Sequence, residues 1–391
     1  MRETVAMDAE DFEAVLKTVR QFVREEVVPR EDEIEAADAV PDEIWAQAKE
    51  MGLFGFSIPE EYGGLGLTMS DEVRLAFELG YTTPAFRSMF GTNNGIGGQV
   101  ILLDGTEEQK QHYLPRLATG DYVTSFALTE PDAGSDPSTL TTSARRDGEH
   151  YVINGAKRFI TNAPLADLLM VFARTNPDDR GPRGISCFVV PRDTPGITLG
   201  PRDKKMGQSG AWTSEVFFDD VRVPADTLVG GVEGQGYTTA MKALARGRLH
   251  IAAICTGMAG RIIDEMTSYA LTRQQSGKQI SEFQLIQGLL ADSQTEMYAG
   301  RAMCVDAAAR FDSGEDRRMG PACCKYFCSE MVNRVADRGV QVHGGMGYMR
   351  GVPVERFYRD VRVFKIYEGT SQIQQVVIAK AMLRAAAERS G

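Results

Sequence analysis

Several things are scarce in this sequence, and each scarcity excludes something. No apolar run reaches the roughly 18 residues that a membrane-spanning helix needs, so no integral membrane segment is expected. Positive charge is not in excess: 43 Lys and Arg stand against 54 Asp and Glu, a net charge of −11. A nucleic-acid partner, which would call for a basic face, is therefore not expected, although a local basic pocket for a phosphorylated cofactor stays open. The N-terminal stretch Met1–Phe12 is acidic and has neither the basic region and apolar core of a secretory signal nor the Arg-rich character of a transit peptide. A cytoplasmic location is the plain reading.

Histidine numbers only four, and the six cysteines contain no C-x-x-C pair. No histidine lies within zinc-ligand spacing of two of them, so no metal site is expected. Of Cys187, Cys255, Cys304, Cys323, Cys324 and Cys328, the last three fall in an apolar segment with helical period and read as buried reduced thiols, small hydrophobes in a reducing compartment. Neither a strand-borne G-x-G-x-x-G nor a G-x-x-x-x-G-K-[ST] occurs, which excludes the Rossmann and P-loop nucleotide sites.

What remains is an ordinary globular composition, 43% apolar and 25% charged over 391 residues, long enough for two or three domains. The first third has helical period. Phe12, Leu16, Val19, Val23 and Val27 form one stripe, which Pro29 should close. A second helix follows Pro41, with Ile44, Ala48 and Met51 on one face. Residues Pro59–Gly66 form a glycine-rich loop, and Thr106 with Gln109 reads as a capping box.

From Asp121 to about Val232 the apolar segments are short: Tyr151–Ile153, Leu168–Phe172, Ile185–Val190 and Val216–Phe218. Asn154-Gly155 reads as a turn between two of them. With no long helical pattern between strands, the sheet should be antiparallel. Long helical runs then return at 237–272, 284–312, 320–342 and 371–388, with Gly344, Gly345 and Gly347 ending the third. The fold class is α+β, mostly α: a helical domain over 1–120, an antiparallel β domain over 121–232, and a C-terminal four-helix bundle over 233–391.

Four segments could carry chemistry. Phe126–Asp136 (FALTEPDAGSD) is a strand entering a Pro/Gly turn whose free amides and hydroxyls suit a polar ring edge or a phosphate, or simply an ordinary strand exit. Lys157–Asn162 (KRFITN) puts Phe159 and Thr161 on one strand face, as any half-buried strand would. Gln341–Tyr348 (QVHGGMGY) allows close backbone approach, or is a helix C-cap and turn. His343 has no partner acid in sequence, so a structural role is expected. Ile366–Gln374 (IYEGTSQIQ) places Glu368 before a helix that Ser371 and Gln374 should cap, and Ile373, Val376, Val377 and Leu383 continue that helix as a stripe.

These segments, in this order and over essentially the whole chain, resemble the acyl-CoA dehydrogenase family. IYEGTSQIQ and LTEP-AGSD are its most specific motifs. The resemblance implies FAD as cofactor, an acyl-CoA substrate, and Glu368 as the base that removes the α-proton. In another branch the base precedes an arginine on a long helix; here that position is Gly247, followed by Arg248, which matches a residue near the thioester and CoA chain. Phe126, Leu128 and Thr129 match the strand that meets the flavin. Ser135 matches a serine near the flavin phosphate or substrate, and Gly369 adjoins the substrate.

Phe159 stands where many members have Trp beside the isoalloxazine, and Thr161 matches a threonine near flavin N5. Thr370 and Gln372 match further FAD contacts. Arg273, Gln284, Gln341 and Gly345 match what a neighbouring subunit contributes, and Ser276 replaces the family's usual Phe. The resemblance also implies a homotetramer, a dimer of dimers, and an electron-transferring flavoprotein as redox partner. An acyl-CoA oxidase of the same fold would share these residues, whereas a monooxygenase relative would lack the loop acid. Phe86, Phe90, Asn93, Asn94 and Ile96 either line the acyl pocket or pack the core.

Overall fold

The computed structural model describes residues 7–390; Met1–Ala6, half of the acidic N-terminal stretch, lie outside the described residues. Seven helices come first: α1 (Ala9–Phe22), α2 (Glu31–Ala37), α3 (Asp42–Glu50), α4 (Met69–Leu79), α5 (Pro84–Asn94), α6 (Gly98–Asp104) and α7 (Glu107–Thr119). The stripe on α1 is buried as its period requires, from Phe12 to Val27. Pro29 does not end the helical path. The chain widens into a π-turn over Val23–Val27, tightens into a 3-10 turn over Val28–Arg30, and continues directly into α2. Proline is tolerated because it occupies a first turn, where its missing N–H has no partner to lose.

On α3, Ile44 and Ala48 are buried and Met51 beyond its end is half-buried. Thr106 and Gln109 cap α7 reciprocally. The Pro59–Gly66 loop carries a single 3-10 turn, Glu60–Tyr62.

Seven strands follow: β1 (Thr124–Ala127), β2 (Ser143–Asp147), β3 (His150–Thr161), β4 (Leu168–Arg174), β5 (Ile185–Pro191), β6 (Ile197–Leu199) and β7 (Thr213–Pro224). They form one sheet ordered β1-β4-β2-β3-β7-β6, with β5 on β4. The sheet is mixed, not antiparallel, since β4 runs parallel to β1 and touches β2 in parallel. A parallel neighbour needs a crossover, and here the β2–β3 hairpin supplies it in place of a helix. That hairpin turns at Gly148-Glu149. Asn154-Gly155 lies inside β3 at a register shift instead of at a turn. Gly155 has φ 145°, and a Cβ there would stand 2.5 Å from Thr142 Oγ1, so glycine serves a bulge and a close approach.

The chain then returns to helix: α8 (Gly236–Thr272), α9 (Gln284–Ser313), α10 (Met319–His343), α11 (Pro353–Val361) and α12 (Ser371–Ser390). Helix α10 packs against α8, α9 and α12, completing a four-helix bundle. All six cysteines are free, and all but Cys323 are buried. One continuous core runs from Phe12, Val73 and Phe90 to Ile254, Val332 and Phe364, so the helices before and after the sheet bury their apolar faces together. Two further cores cover the two faces of the sheet.

The crossing of α4 and α8 is made close by two glycines. A Cβ on Gly80 would lie 2.3 Å from Ile254 O, and one on Gly257 would lie 2.1 Å from Phe77 O. Both clashes are with backbone, so a helix rather than a side chain must move. Gly257→Ala should therefore destabilise the fold by about 2 kcal/mol or more, measured as a lowered midpoint in denaturant.

Candidate active site

Glu368 follows α11 in a short loop and has φ 53°, with Gly369 next at φ 89°. A left-handed glutamate costs of order 1 kcal/mol, so the surroundings must hold it. Lys325, a fully buried side chain on α10, donates from Nζ to Gly369 O at 2.7 Å. Gln374 Nε2 donates to Glu368 O at 3.2 Å and to Gly369 O at 3.0 Å. The cap of α12 therefore differs from expectation. Thr370 Oγ1 accepts from Ile373 N, Ser371 instead donates to Glu330 Oε1, and Gln374 turns back to the loop carbonyls. One position earlier suffices because the loop's two left-handed residues swing Thr370 into the N-cap place.

The carboxylate so presented has no donor. Glu368 Oε2 is buried without a hydrogen-bond partner, and the Glu368 amide makes no hydrogen bond among the described residues. Helix α8 leaves room for it at Gly247, where a Cβ would stand 2.5 Å from Glu368 Oε2 and 3.3 Å from Ile96 Cγ2. Burial raises the Glu368 pKa above the usual carboxylate range, against the pull of Arg87, Lys325 and Arg248. Arg248 is itself buried, its Nε without a partner, and burial lowers its pKa. Burial also brings Lys325 down to about 8.

Behind these groups lies a polar relay. Arg87 Nε donates to His250 Nε2 at 2.9 Å. An accepting Nε2 places the imidazole proton on Nδ1, which faces Glu72 Oε1 at 2.9 Å. Burial lowers the His250 pKa, with Arg87 adding to the effect, so the ring is neutral. Glu72 is paired with Arg246, and Phe56 stacks on the imidazole at 5.9 Å.

A second group of expected residues meets at the sheet. Arg158 N donates to Thr129 O at 2.9 Å, and Ser125 Oγ donates to Thr161 O at 2.8 Å, which ties the end of β1 to β3. Glu130 and Lys157 fix this corner from inside, with Nζ 2.8 Å from Oε1. Burial disfavours the Glu130 charge, but Lys157 and the Thr141 and Thr142 groups outweigh it and hold its pKa at about 2. Lys157 Nζ also donates to Leu128 O, and Phe126 packs on Phe172. Phe159, at φ 59° beside a register shift, leaves its ring 63% exposed under the Arg158 guanidinium. Ser135 is exposed on the loop beyond.

Arg273, Gln284, Gln341 and Gly345 are all exposed, near the end of the bundle where Tyr269 stacks on His343 at 4.2 Å. No hydrogen bond or ion pair joins them to the β1–β3 corner among the described residues. Ser276 and Gly277 make the tight turn of a small hairpin there, with φ 54° and 80°. His343 is structural, its Nδ1 2.8 Å from Gly339 O. Thr370 and Gln372 open on a polar hollow of about 400 Å³ that Arg362 and Lys365 also line. Of the candidate pocket residues, Phe86 and Phe90 pack edge-on in the core. Asn93 and Asn94 are spent on backbone groups, while Ile96 and Glu368 both lie against Gly247.

Comparison with known proteins agrees with this layout. Residues 9–121, 125–221 and 234–383 match the acyl-CoA dehydrogenase N-terminal, middle and C-terminal domains. The chain belongs to the acyl-CoA dehydrogenase family. It is 38% identical over 375 residues to the 3-(aryl)acrylate reductase of Clostridium sporogenes, spanning 96% of this chain and 99% of that one. It is also 38% identical to the caffeyl-CoA reductase-Etf complex subunit CarC of Acetobacterium woodii, over 96% and 99%. The butyryl-CoA dehydrogenase of Megasphaera elsdenii superposes with a TM-score of 0.92 at 32% identity, over 96% and 99%.

The family is one of oxidoreductases with FAD as cofactor, and the residues here fit it. An exposed, strained aromatic ring at a strand corner suits a flat ring system. The Gly344-Gly345 backbone, with nothing within 4 Å of either Cβ position, allows close approach.

The signals that sequence reading missed are Arg87 and Lys325, which no motif marks because they reach the site only in space, and the role of Gln374, which lies in the IYEGTSQIQ motif but holds the loop carbonyls instead of capping α12. Gly247→Ala should leave the fold intact, since the clash is with the flexible end of a side chain. It should still displace Glu368 and slow flavin reduction by about tenfold or more, measured by stopped-flow absorbance.

Proposed function

We propose that the protein oxidises the Cα–Cβ bond of an acyl-CoA thioester to the trans-2-enoyl-CoA. Glu368 takes the α-proton, and bound FAD supplies the two-electron acceptor for the β-hydride. The observation that carries this reading is the orphaned carboxylate: Glu368 Oε2 is buried, opposed by no donor, and its pKa is raised.

An α-proton beside a thioester is weakly acidic, so abstraction needs a strong base and a stabilised enolate. A desolvated carboxylate held in one conformation meets the first need. The unpaired Glu368 amide is available for the second, donating to the thioester oxygen. Lys325 and Gln374 hold the loop carbonyls so that carboxylate and amide keep one geometry. Arg248 stands nearby for the thioester and CoA chain.

Phe126, Leu128, Thr129, Ser135, Phe159, Thr161, Thr370 and Gln372 would hold FAD in the same chain, and Arg273, Gln284, Gln341 and Gly345 would meet the FAD of a neighbour. That arrangement needs a dimer at least, and a homotetramer by likeness. Its support is the exposure of Leu285, Tyr298, Tyr348, Met346 and, on the α12 stripe, Val376 and Leu383, more apolar surface than a lone subunit gains by exposing. An electron-transferring flavoprotein is the expected redox partner, a reading supported by the Etf-complex relative. The reductase names of two relatives are consistent with the same bond chemistry run in the opposite direction, which the redox partner would set.

Glu368→Gln should keep its flavin and lose about 10³-fold in the rate of reduction by acyl-CoA under anaerobic conditions; normal turnover would sink the assignment. The base must be ionised to act. Because its pKa is raised, the wild-type rate in the free enzyme should begin to fall with acid above the ordinary carboxylate range, and a pH profile of kcat/KM checks this. Stoichiometric peroxide in air would move the assignment to an acyl-CoA oxidase.

A further inference from the structure

The two halves of the site lie on different parts of the chain. The β1–β3 corner belongs to the sheet and Glu368 to the bundle, and the sheet keeps cores of its own. The segment between β6 and β7, residues 200–212, joins them. Trp212 O accepts from Asn162 N at 2.8 Å, and Thr213 pairs with Thr161, so the segment extends from the strand next to the one that carries Phe159. Its apex lies on α11. A Cβ on Gly207 would stand 2.6 Å from Arg359 C and O, which puts backbone against backbone. Gln208, at φ 56°, donates its amide to Asp360 Oδ1 and its Nε2 to Asp360 O at 3.2 Å. From Asp360 the chain runs through one 3-10 turn, Arg362–Lys365, to Tyr367 and Glu368.

The carboxyl at this junction is under-supplied with donors. Asp360 is 2% exposed. Among the described residues Oδ1 has the Gln208 amide, and Oδ2 is buried with no partner. The charges that face it are Arg356 and Arg359 on its own helix, Glu35 from α2 and Lys205 from the segment. The three cations are committed elsewhere: Arg356 to Glu31 and Asp32, Arg359 to Glu35 and Glu355, and Lys205 to Ala211 O at 2.6 Å. An ionised carboxylate needs several donors to offset its lost hydration, whereas a neutral carboxyl here leaves one hydroxyl unpaired, a far smaller cost. Burial pushes the Asp360 pKa up to about 7, against the pull of the Gln208 amide and both arginines.

We propose that Asp360 is a positioning residue whose neutral carboxyl latches the sheet to the helix leading to the base, and that loss of its proton loosens the latch. Flavin-side strand and base then lose their common register, which a reaction between two held groups requires. The catalytic consequence rests on the dehydrogenation reading above; the latch itself does not.

The test compares FAD-loaded wild type with Asp360→Asn, which keeps an oxygen for the Gln208 amide and cannot ionise. In the unfolded chain an aspartate titrates lower, so folding takes up a proton, and that stability is present in acid and lost as pH rises through about 7. Between about pH 5.5 and about pH 8.5 the wild-type Tm should therefore fall by about 2 °C or more relative to the variant. Over the same window its rate of flavin reduction should fall about threefold or more relative to the variant, with whichever of butyryl-, hexanoyl- and phenylpropanoyl-CoA bleaches the flavin fastest. A Tm difference that does not change with pH, or parallel rate profiles, overturns the proposal. Should Asp360→Asn fail to fold, hydrogen exchange in wild type decides. Corrected for the intrinsic pH effect, protection of residues 201–212 should drop between the two pH values while β4 keeps its own; unchanged protection overturns the latch. Flavin that none of the three thioesters bleaches is a failure of the dehydrogenation reading instead, and leaves the Tm and exchange results to decide the latch.

Discussion

A carboxylate with one oxygen buried and no donor is unstable on its own, and the rest of this structure makes that arrangement tolerable. Burial raises the Glu368 pKa and so disfavours its charge. The cations Arg87, Lys325 and Arg248 oppose that without hydrogen-bonding the carboxylate, so charge is retained while the lone pairs stay free. The left-handed backbone at Glu368 and Gly369 would relax if it stood alone. Lys325 from α10 and Gln374 from α12 hold its carbonyls, and Gly247 on α8 gives the carboxylate its space. Three helices of the bundle therefore meet at one loop.

That convergence explains why the helices on either side of the sheet share a core. Helix α8 carries Gly247, Arg248 and His250, while α5 carries Arg87. Their relative position is set by the close α4–α8 crossing at Gly80 and Gly257 and by the aromatic cluster of Phe54, Phe56, Phe86 and Phe90. Interiors packed at this density transmit small shifts, so the register of these helices is also the register of the site. The sheet has separate cores, and its β1–β3 corner is braced by the buried Glu130–Lys157 pair.

Much of this was legible in the sequence where the physics is local. The run at 237–272 became α8 within a residue, because helical period and a glycine-rich start are read one turn at a time. The Thr106–Gln109 box formed as its spacing requires. Local signals failed where distant contacts decide. Asn154-Gly155 has turn chemistry, yet β7 pairs with β3 on both sides of it and absorbs it as a bulge. Pro29 looks like a stop, yet the chain needs only a change of helical pitch there. The parallel β1–β4 pair was hidden because a hairpin replaced the helix that crossovers ordinarily use. Glu368 and Gly247 stood out through family likeness, and Gln374 lay in the same motif with its role misread as a cap, but Arg87 and Lys325 come from two separate helices, and no spacing along the chain links them to the loop.

The most direct test of the central claim is hydrogen exchange at Cα. The purified flavoprotein would be incubated anaerobically in D₂O with a saturated acyl-CoA, and deuterium in the recovered thioester followed by mass spectrometry. The account predicts that the wild-type protein exchanges the α-hydrogen and that Glu368→Gln does not, with flavin content equal in both. Exchange at the wild-type rate in the variant would contradict it, because some group other than this carboxylate would then be the base.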